Sequence, residues 1–244
     1  MLDIPASERI IVALDCDHGR AVELAGLLKG RATWLKVGMT LYYASGPAIV
    51  EYLKDLGFKV FLDLKLHDIP HQVRGAAESA SLTGADLLSV HSLGGADMVR
   101  AAREGVQAAA LERGVRTKLV AITVLTSMDA ESLAQVGIER PVGEEVASLA
   151  GLSHEAGVDG VVCSPREAAA MRSALGPKAL VVTPGVRPAG SEVADQRRIA
   201  TPAEAVAAGA SHIVVGRPIT QSDDPAAAFS AIAHQVEASP RPGA

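Results

Sequence analysis

The chain has 244 residues, of which 48% are hydrophobic and 21% charged, and its formal net charge is −5. This composition is typical of a globular domain with a substantial core, and it excludes a disordered chain. Acidic and basic residues are mixed without a basic tract that could follow a phosphate backbone, which argues against nucleic-acid binding. No signal peptide is evident and no apolar run approaches the ~20 residues that cross a bilayer, so we expect a cytoplasmic protein that does not bind membranes.

Eight short runs rich in β-branched residues recur along the chain and predict eight β-strands. In chain order the runs are 9–15, 33–38, 58–65, 85–92, 118–125, 159–164, 179–185 and 211–217. Alanine-rich segments with helical spacing separate them. Continuous apolar strands that alternate with helices indicate a parallel sheet covered by helices. Eight such units in about 240 residues fit a closed (β/α)8 TIM barrel better than the alternative, an open doubly wound sheet.

The sequence between the predicted strands and helices indicates how many domains the chain forms. No linker rich in glycine or serine and no change in composition divides it, which predicts a single domain. We expect the barrel to span residues 1–237. The last residues, 238–244, read ASPRPGA and are expected to form a flexible tail.

Polar side chains gather where the predicted strands end, which is where barrels of this kind carry their chemistry. The third strand, in the segment FLDLKLHDIP, carries Asp63 and Lys65, with Asp68 just beyond. Alternate side chains of a strand share a face, so Asp63 and Lys65 are expected to point together towards the barrel axis. Lys36 on the second strand can then approach Asp63, and acids and lysines that alternate in a confined space hold each other ionised. The alternative is a solvated network of ion pairs at the barrel mouth.

The loops after the seventh and eighth strands are the usual phosphate-binding region of this fold. TPGVRP supplies Gly185 and Arg187, and VGRPIT supplies Gly216 and Arg217. Glycine lets the backbone approach an anion, and a guanidinium can hold a phosphate through two parallel hydrogen bonds. The pattern predicts a site for a small phosphorylated molecule.

The spacing of the histidines and cysteines does not predict a metal site. No group of histidine, cysteine and acidic residues has convincing metal-ligand spacing, so we expect no metal. His67 is expected at the rim, because strand alternation places it away from the Lys65 face, whereas His91 could line the pocket. Cys16 and Cys163 are interpreted as small apolar residues near strand ends.

The segment FLDLKLHDIP resembles the signature of the orotidine 5′-phosphate decarboxylase family, an Asp-x-Lys-x-x-Asp run. Related decarboxylases and a hexulose-phosphate synthase share this run, so by itself it is only moderately specific. Further segments resemble those of the family in the same order, and together they span almost the whole chain. They are VALD, LKVGM, TVLTS, VTPGVRP, DQRRIATP and VGRPITQSDDP.

The resemblance implies a homodimeric decarboxylase that converts orotidine 5′-phosphate to UMP, in the last step of pyrimidine biosynthesis, without metal or organic cofactor. It implies that Asp63 lies against the substrate carboxylate and that Lys65 delivers a proton to C6, with Lys36 part of the same charged array. It also implies that Asp68 enters the site of the neighbouring subunit.

Binding roles are implied in the same way. Asp15 and Lys36 are expected to hold the ribose hydroxyls, and Thr126 is expected to help hold the pyrimidine or ribose, either in its own subunit or in the partner's site. Gln196 is expected to reach towards the base as well as the 5′-phosphate, and the segment 188–195 to act as a lid. The residues assigned to the 5′-phosphate are Arg187, Gln196, Gly216 and Arg217.

Two other functions remain open from the sequence. A sugar-phosphate lyase or aldolase of the same superfamily would use a similar charged array around a metal-bound enediolate. A non-catalytic nucleotide-binding barrel would bind UMP without releasing CO2. The intact Asp63, Lys65 and Asp68 argue against the latter, because binding alone does not require them.

Overall fold

A computed structural model describes residues 4–188 and 200–239. Within them, eight parallel strands close into a barrel in which neighbours pair in chain order and the first pairs with the last. Each strand falls on its predicted run, apart from one end residue of the third, so the predicted (β/α)8 barrel is confirmed. The strands are β1 (Ile10–Ala13), β2 (Trp34–Gly38), β3 (Lys59–Leu66), β4 (Leu87–His91), β5 (Lys118–Ile122), β6 (Gly160–Val162), β7 (Leu180–Thr183) and β8 (His212–Val215).

Helices follow the strands and cover the outside of the barrel. They are α1 (His18–Leu28), α2 (Met39–Ser45), α3 (Ala48–Asp55), α4 (Pro70–Leu82), α5 (Gly95–Arg113), α6 (Ala130–Gln135), α7 (Val142–Glu155), α8 (Ala168–Leu175), α9 (Pro202–Ala207), α10 (Arg217–Thr220) and α11 (Pro225–Glu237). Short 3-10 turns span Ala6–Arg9 and Ser92–Gly94.

Local sequence sets where several of these helices begin. The Asp17 side chain caps α1 by accepting a hydrogen bond from the Arg20 backbone N–H at 3.0 Å. Thr201 and Glu204 form a reciprocal capping box at the start of α9. Such caps satisfy backbone donors that the first helical turn leaves without partners. Asp17 follows Asp15, which lines the barrel mouth, by only two residues, so α1 begins beside that mouth.

The core has two apolar layers, one inside the barrel and one between the strands and the helices. On β1, Ile11 belongs to the inner layer and its neighbour Val12 to the outer one. Leu62 on β3 packs in the outer layer, against the helices. Since side chains alternate along a strand, Asp63 points into the barrel, as the sequence predicts, and so does Lys36 on β2.

β3 departs from regular geometry where its charged residues lie. It pairs with β4 in register up to Leu62 and again from Leu66, and between these points the register shifts. Three residues of β3 therefore stand opposite one residue of β4, Ser89. Lys65 has a φ of 52°, and among the described residues no other non-glycine residue has a positive φ. A bulge of this kind bends the strand and re-aims its side chains.

The predicted boundary between the barrel and the C-terminal tail lies at the edge of the described residues. The last helix, α11, ends at Glu237, and only the first two residues of the predicted tail fall within the described range. The domain boundary at 237 therefore stays a prediction. No helix in the described parts of the chain is long and apolar enough to cross a membrane.

Candidate active site

A cavity of about 700 Å³ opens at the carboxyl ends of the strands. This volume is in the range of small-molecule sites, roughly 300–1,000 Å³. The structure brings eight of the ten sequence-predicted site residues into its wall. They are Asp15, Lys36, Asp63, Lys65, Thr126, Arg187, Gly216 and Arg217.

Four of these side chains form a continuous chain of ion pairs with alternating sign. Lys36 Nζ lies 2.8 Å from Asp15 Oδ1 and 3.6 Å from Asp63 Oδ2. Lys65 Nζ lies 2.8 Å from the same Asp63 oxygen. Lys36 and Asp63 are each only 7% exposed, while Asp15 at the outer end is exposed. The centre of the array is therefore buried, which does not fit a solvated surface network, and buried charges persist only when they are paired.

Asp63 is held in one ionisation state and one orientation. Burial by itself raises its pKa, but the ammonium groups of Lys36 and Lys65, together with hydrogen bonds from Lys65 and Ser89, outweigh burial and lower the pKa from its ordinary value. The Ser89 hydroxyl donates to Oδ1 at 2.8 Å, while the two lysines lie at Oδ2. With both oxygens engaged, the carboxylate is ionised and cannot rotate freely.

Ser89 contacts this array, although the sequence did not predict it. Its side chain is fully buried, and its Oγ also accepts a hydrogen bond from the Lys65 backbone N–H at 2.9 Å. The signal that could have revealed it is one hydroxyl inside the apolar run LLSV of β4. A buried polar side chain needs hydrogen-bond partners, and the charged residues of the neighbouring strand are the partners within reach.

Three guanidinium-bearing side chains lie along the cavity wall near the ends of β1, β7 and β8. Arg187 and Arg217 follow β7 and β8, as predicted, and Arg217 is the first residue of the single-turn helix α10. Gly185 has a φ of 77°, a left-handed conformation that favours glycine, so the turn after β7 depends on this residue. Arg20 was not predicted; its Nη2 donates to the Thr220 carbonyl at 3.0 Å, which ties α1 to α10.

The same cavity also has an apolar part to its wall. It is formed by Phe61, Ile122, Val124, Val162 and Val214. A cavity with an apolar wall and a few convergent polar groups suits a small molecule that has both apolar and charged parts.

Asp68 does not join the ion-pair array within the chain. Its side chain is exposed, Oδ1 accepts a hydrogen bond from the Ile69 N–H at 2.6 Å, and it forms no ion pair within residues 4–188 and 200–239. Large exposed apolar side chains stand on the same rim after β2, β3 and β4. They are Met39, Ile69 and Leu93, with exposed fractions of 45%, 63% and 42%.

The two histidines near Lys65 stack on each other. The rings of His67 and His91 lie 5.2 Å apart between centroids at an interplanar angle of 17°. Burial, with smaller contributions from His67 and Lys65, lowers the pKa of His91 to about 4. His67 is exposed at the rim, where the sequence analysis expects it, and His91 is neutral near neutral pH.

Some expectations lie outside what the structure describes. Gln196 and the predicted lid from residue 189 onward fall between the two described ranges, so their assignments stay predictions. Among the described residues, no group of three or more histidine, cysteine or acidic side chains could hold a metal ion.

The fold and the site together define a class of protein: a (β/α)8 barrel enzyme with a charged cavity at the carboxyl ends of its strands. Comparison with known proteins narrows this class. The family model described as "Orotidine 5'-phosphate decarboxylase / HUMPS family" matches residues 8–232. The chain belongs to this family.

Individual relatives match almost the whole chain. It is 52% identical over 238 residues to the orotidine 5′-phosphate decarboxylase of Halorhodospira halophila, covering 97% of this chain and 99% of that protein. It is 51% identical over 241 residues to the protein of the same name from Moorella thermoacetica, covering 97% and 95%. The crystal structure of orotidine 5′-phosphate decarboxylase from Lactobacillus acidophilus superposes with a TM-score of 0.84 at 37% identity, covering 95% of this chain and all of that one.

Proposed function

We propose that this protein decarboxylates orotidine 5′-phosphate to UMP and CO2, the final step of de novo pyrimidine biosynthesis. The observation that carries the proposal is the buried alternating array of Lys36, Asp63 and Lys65, which shares one cavity with Arg187 and Arg217. Relatives about half identical over nearly the full chain carry the name of this activity. The cytoplasmic location expected from the sequence stays a prediction.

The cavity offers a partner for each part of this substrate. We assign the 5′-phosphate to Arg187, Arg217 and the backbone at Gly216, because guanidinium groups bind phosphate oxygens through paired hydrogen bonds. Asp15 and Lys36, paired at 2.8 Å, are assigned to the ribose hydroxyls. The pyrimidine lies on the apolar wall, with Thr126 beside it and C6 towards Lys65. Gln196 completes the phosphate and base contacts in this proposal.

The chemistry explains why a charged array suits this reaction. Loss of CO2 from C6 leaves a carbanion in an sp2 orbital, which the ring π-system cannot delocalise. The protein must therefore act through positioning and electrostatic stabilisation. The Lys65 ammonium stabilises the charge that develops at C6 and then transfers a proton to it. The phosphate, remote from C6, contributes binding energy that is used at the reacting carbon.

Asp63 has a secondary part in lowering the barrier. Its carboxylate, placed against the substrate carboxylate, repels it by about 4 kcal/mol at 4 Å and an effective dielectric of 20. This is too small to account for catalysis, since enzymes lower barriers by roughly 8–23 kcal/mol. We therefore rank stabilisation of the carbanion by Lys65 above repulsion by Asp63. The other function of Asp63 is to hold Lys65 in place, because their side chains are in direct contact.

We further propose that the active form is a homodimer in which Asp68 of each subunit completes the array of the other. Asp68 is exposed and is bonded only to the adjacent backbone N–H within the described residues, so its carboxylate is available to a second copy. The exposed Met39, Ile69 and Leu93 on the same rim provide an apolar surface for such an interface.

The direct test is loss of orotidine 5′-phosphate absorbance with EDTA present. We expect full turnover and stoichiometric UMP, because the proposed mechanism uses only protein groups. Activity that disappears with EDTA, returns with Mg²⁺ and extends to pentulose phosphates would instead identify a sugar-phosphate lyase. Binding of UMP without any release of CO2 would identify a non-catalytic barrel.

Arg217→Ala is expected to raise KM for orotidine 5′-phosphate about 10- to 100-fold, since one charge-assisted contact to the phosphate is worth about 1.5–3 kcal/mol. The effect on kcat is expected to be smaller, because Arg217 does not contact the reacting carbon. Steady-state kinetics measure both constants. Arg31→Ala, which removes an exposed arginine in the turn between α1 and β2 at the opposite end of the barrel, is the matched control. An unchanged KM in Arg217→Ala would remove this residue from the phosphate site.

Gly38→Ala is expected to lower kcat/KM about tenfold or more, because small displacements of positioned groups have large effects on rate. A Cβ at Gly38 would lie 3.0 Å from Lys36 Nζ and 3.1 Å from Asp15 Oδ1, so this ion pair must shift. Gly26→Ala is the control, because a Cβ at that exposed helical position meets no atom within 4 Å. Equal kinetics for the two variants would show that the Lys36–Asp15 geometry does not matter for turnover.

A further inference from the structure

The irregular part of β3 depends on one hydroxyl of the neighbouring strand. Where the register of β3 and β4 shifts, Ser89 stands opposite the segment that contains both Asp63 and Lys65. Its Oγ accepts a hydrogen bond from the Lys65 N–H at 2.9 Å and donates one to Asp63 Oδ1 at 2.8 Å. One buried oxygen thus links the backbone of the proposed proton donor to the carboxylate that holds its side chain.

The conformation of Lys65 makes this link necessary. With a φ of 52°, Lys65 has a left-handed backbone, which is unfavourable for a residue with a Cβ and persists only where the surroundings hold it. The bulge also takes the Lys65 N–H out of the regular pairing with β4, and a backbone N–H at such a partly buried position needs another partner. The Ser89 hydroxyl is that partner.

We propose that Ser89 is a positioning residue for the decarboxylation, whose hydroxyl fixes the relative geometry of Asp63 and Lys65 so that the Lys65 ammonium meets C6 of the pyrimidine. This inference rests on the proposed function. Ser89 has no exposed surface and is not among the described residues that line the cavity, so it acts through its two neighbours and does not touch the substrate.

Ser211 offers a matched control for the loss of a buried hydroxyl. It is also fully buried, and its Oγ accepts from the Val181 N–H at 2.9 Å, donates to the Val181 carbonyl at 3.0 Å and lies 3.1 Å from His212 Nδ1. It precedes β8, at the end of the barrel opposite the cavity, and has no contact with the charged array. Ser211→Ala therefore removes the hydrogen bonds of a fully buried hydroxyl without changing the array.

The experiment compares Ser89→Ala, Ser89→Cys and Ser211→Ala by steady-state decarboxylation of orotidine 5′-phosphate and by titration with UMP. For both Ser89 variants we expect kcat to fall about 10- to 100-fold, because a small misplacement of a reacting group can cost about 10²-fold in rate. KM and the UMP affinity should stay within about threefold, because the phosphate and ribose contacts are unchanged. Cysteine is included because it keeps the side-chain shape while its thiol is only a weak donor. Ser211→Ala should keep the wild-type kcat.

A pH profile adds a readout that a purely structural role would not change. Asp63 faces the Lys36 ammonium from β2, the Lys65 ammonium from β3 and the Ser89 hydroxyl from β4, with Asp15 of β1 behind Lys36. Removing the hydroxyl weakens the ionised form of Asp63, so its pKa rises. The acidic limb of kcat/KM should therefore move to higher pH in Ser89→Ala and stay in place in Ser211→Ala.

The outcomes separate this inference from the function on which it rests. Wild-type kcat and an unmoved acidic limb in folded Ser89→Ala or Ser89→Cys would overturn the inference. The inference would also be overturned if Ser211→Ala lost as much kcat as the Ser89 variants, or if UMP affinity fell in proportion to kcat. Either result would indicate general disruption of the protein. If Ser89→Ala does not fold, Ser89→Cys decides. A wild-type protein that releases no CO2 overturns the proposed function itself.

Discussion

Lys65→Ala is expected to abolish CO2 release from orotidine 5′-phosphate while binding of UMP largely survives. The variant loses both the proton donor and the cation nearest to C6. General acid catalysis contributes about 10²–10⁴-fold and one preorganised electrostatic contact about 10²–10³-fold, so the combined loss should be at least ~10⁴-fold in kcat. Asp63 keeps Lys36 and Ser89 as partners, so the rest of the cavity should remain intact. Stopped assays for UMP formation and a UMP titration measure the two quantities.

Lys65→Arg separates the two roles of the lysine. Arginine keeps the positive charge but does not give up its proton in proteins. If proton transfer is essential, Lys65→Arg should be nearly as inactive as Lys65→Ala. Lys29→Ala, at an exposed lysine after α1, controls for loss of a positive charge alone. Turnover near the wild-type level in Lys65→Ala would contradict the assignment of Lys65 as proton donor.

Mixed dimers are expected to show that Asp68 acts in the neighbouring subunit. Asp68→Asn alone should lower kcat about 10²-fold or more, because it removes a charge from the proposed array. A dimer of one Lys65→Ala chain and one Asp68→Asn chain then contains one intact site and one doubly altered site. Such a dimer should have about half of the wild-type activity, because a two-fold interface exchanges the same residue in both directions.

Co-expression of the two chains with different affinity tags, followed by two purification steps, yields the mixed dimer for this assay. If Asp68 serves its own subunit, the mixed dimer contains no intact site and should be no more active than the two parent variants. A chain that sediments as an active monomer would contradict the dimer proposal as a whole. The exposed Ile69, adjacent to Asp68, offers a further check, since Ile69→Lys should weaken dimerisation.

The sequence was a good predictor of the fold because local patterns report burial directly. Every predicted strand run overlaps an observed strand, with only one end residue of β3 outside its run, since a strand buried on both faces must be apolar nearly throughout its length. The same patterns allowed the charged residues to be assigned to the barrel mouth, because a charge within an apolar run stands out. Asp63 and Lys36 interrupt apolar runs, and buried charges are tolerated where they pair.

Several features of the site could not be predicted in this way. The alternation of side chains correctly predicted that Asp63 and Lys65 lie together. That prediction assumed a regular strand, whereas β3 has a bulge opposite Ser89. A bulge depends on the match between two strands far apart in sequence, and neither strand shows it alone. The space that Gly38 leaves for the Lys36–Asp15 pair likewise exists only after β1 and β2 have paired.

By itself the sequence determined the barrel, its order of strands and helices, and the identity of the charged and arginine-bearing residues at the mouth. These follow from periodicity and from the position of each residue along its own strand, both of which are local properties. Only the tertiary structure decided which of those residues touch. It joined Asp15, Lys36, Asp63 and Lys65 into one array with a buried centre, placed Ser89 against Asp63 and left Asp68 outside. The physical reason is that distances between side chains on different strands depend on register, bulges and closure of the barrel, which no single segment encodes.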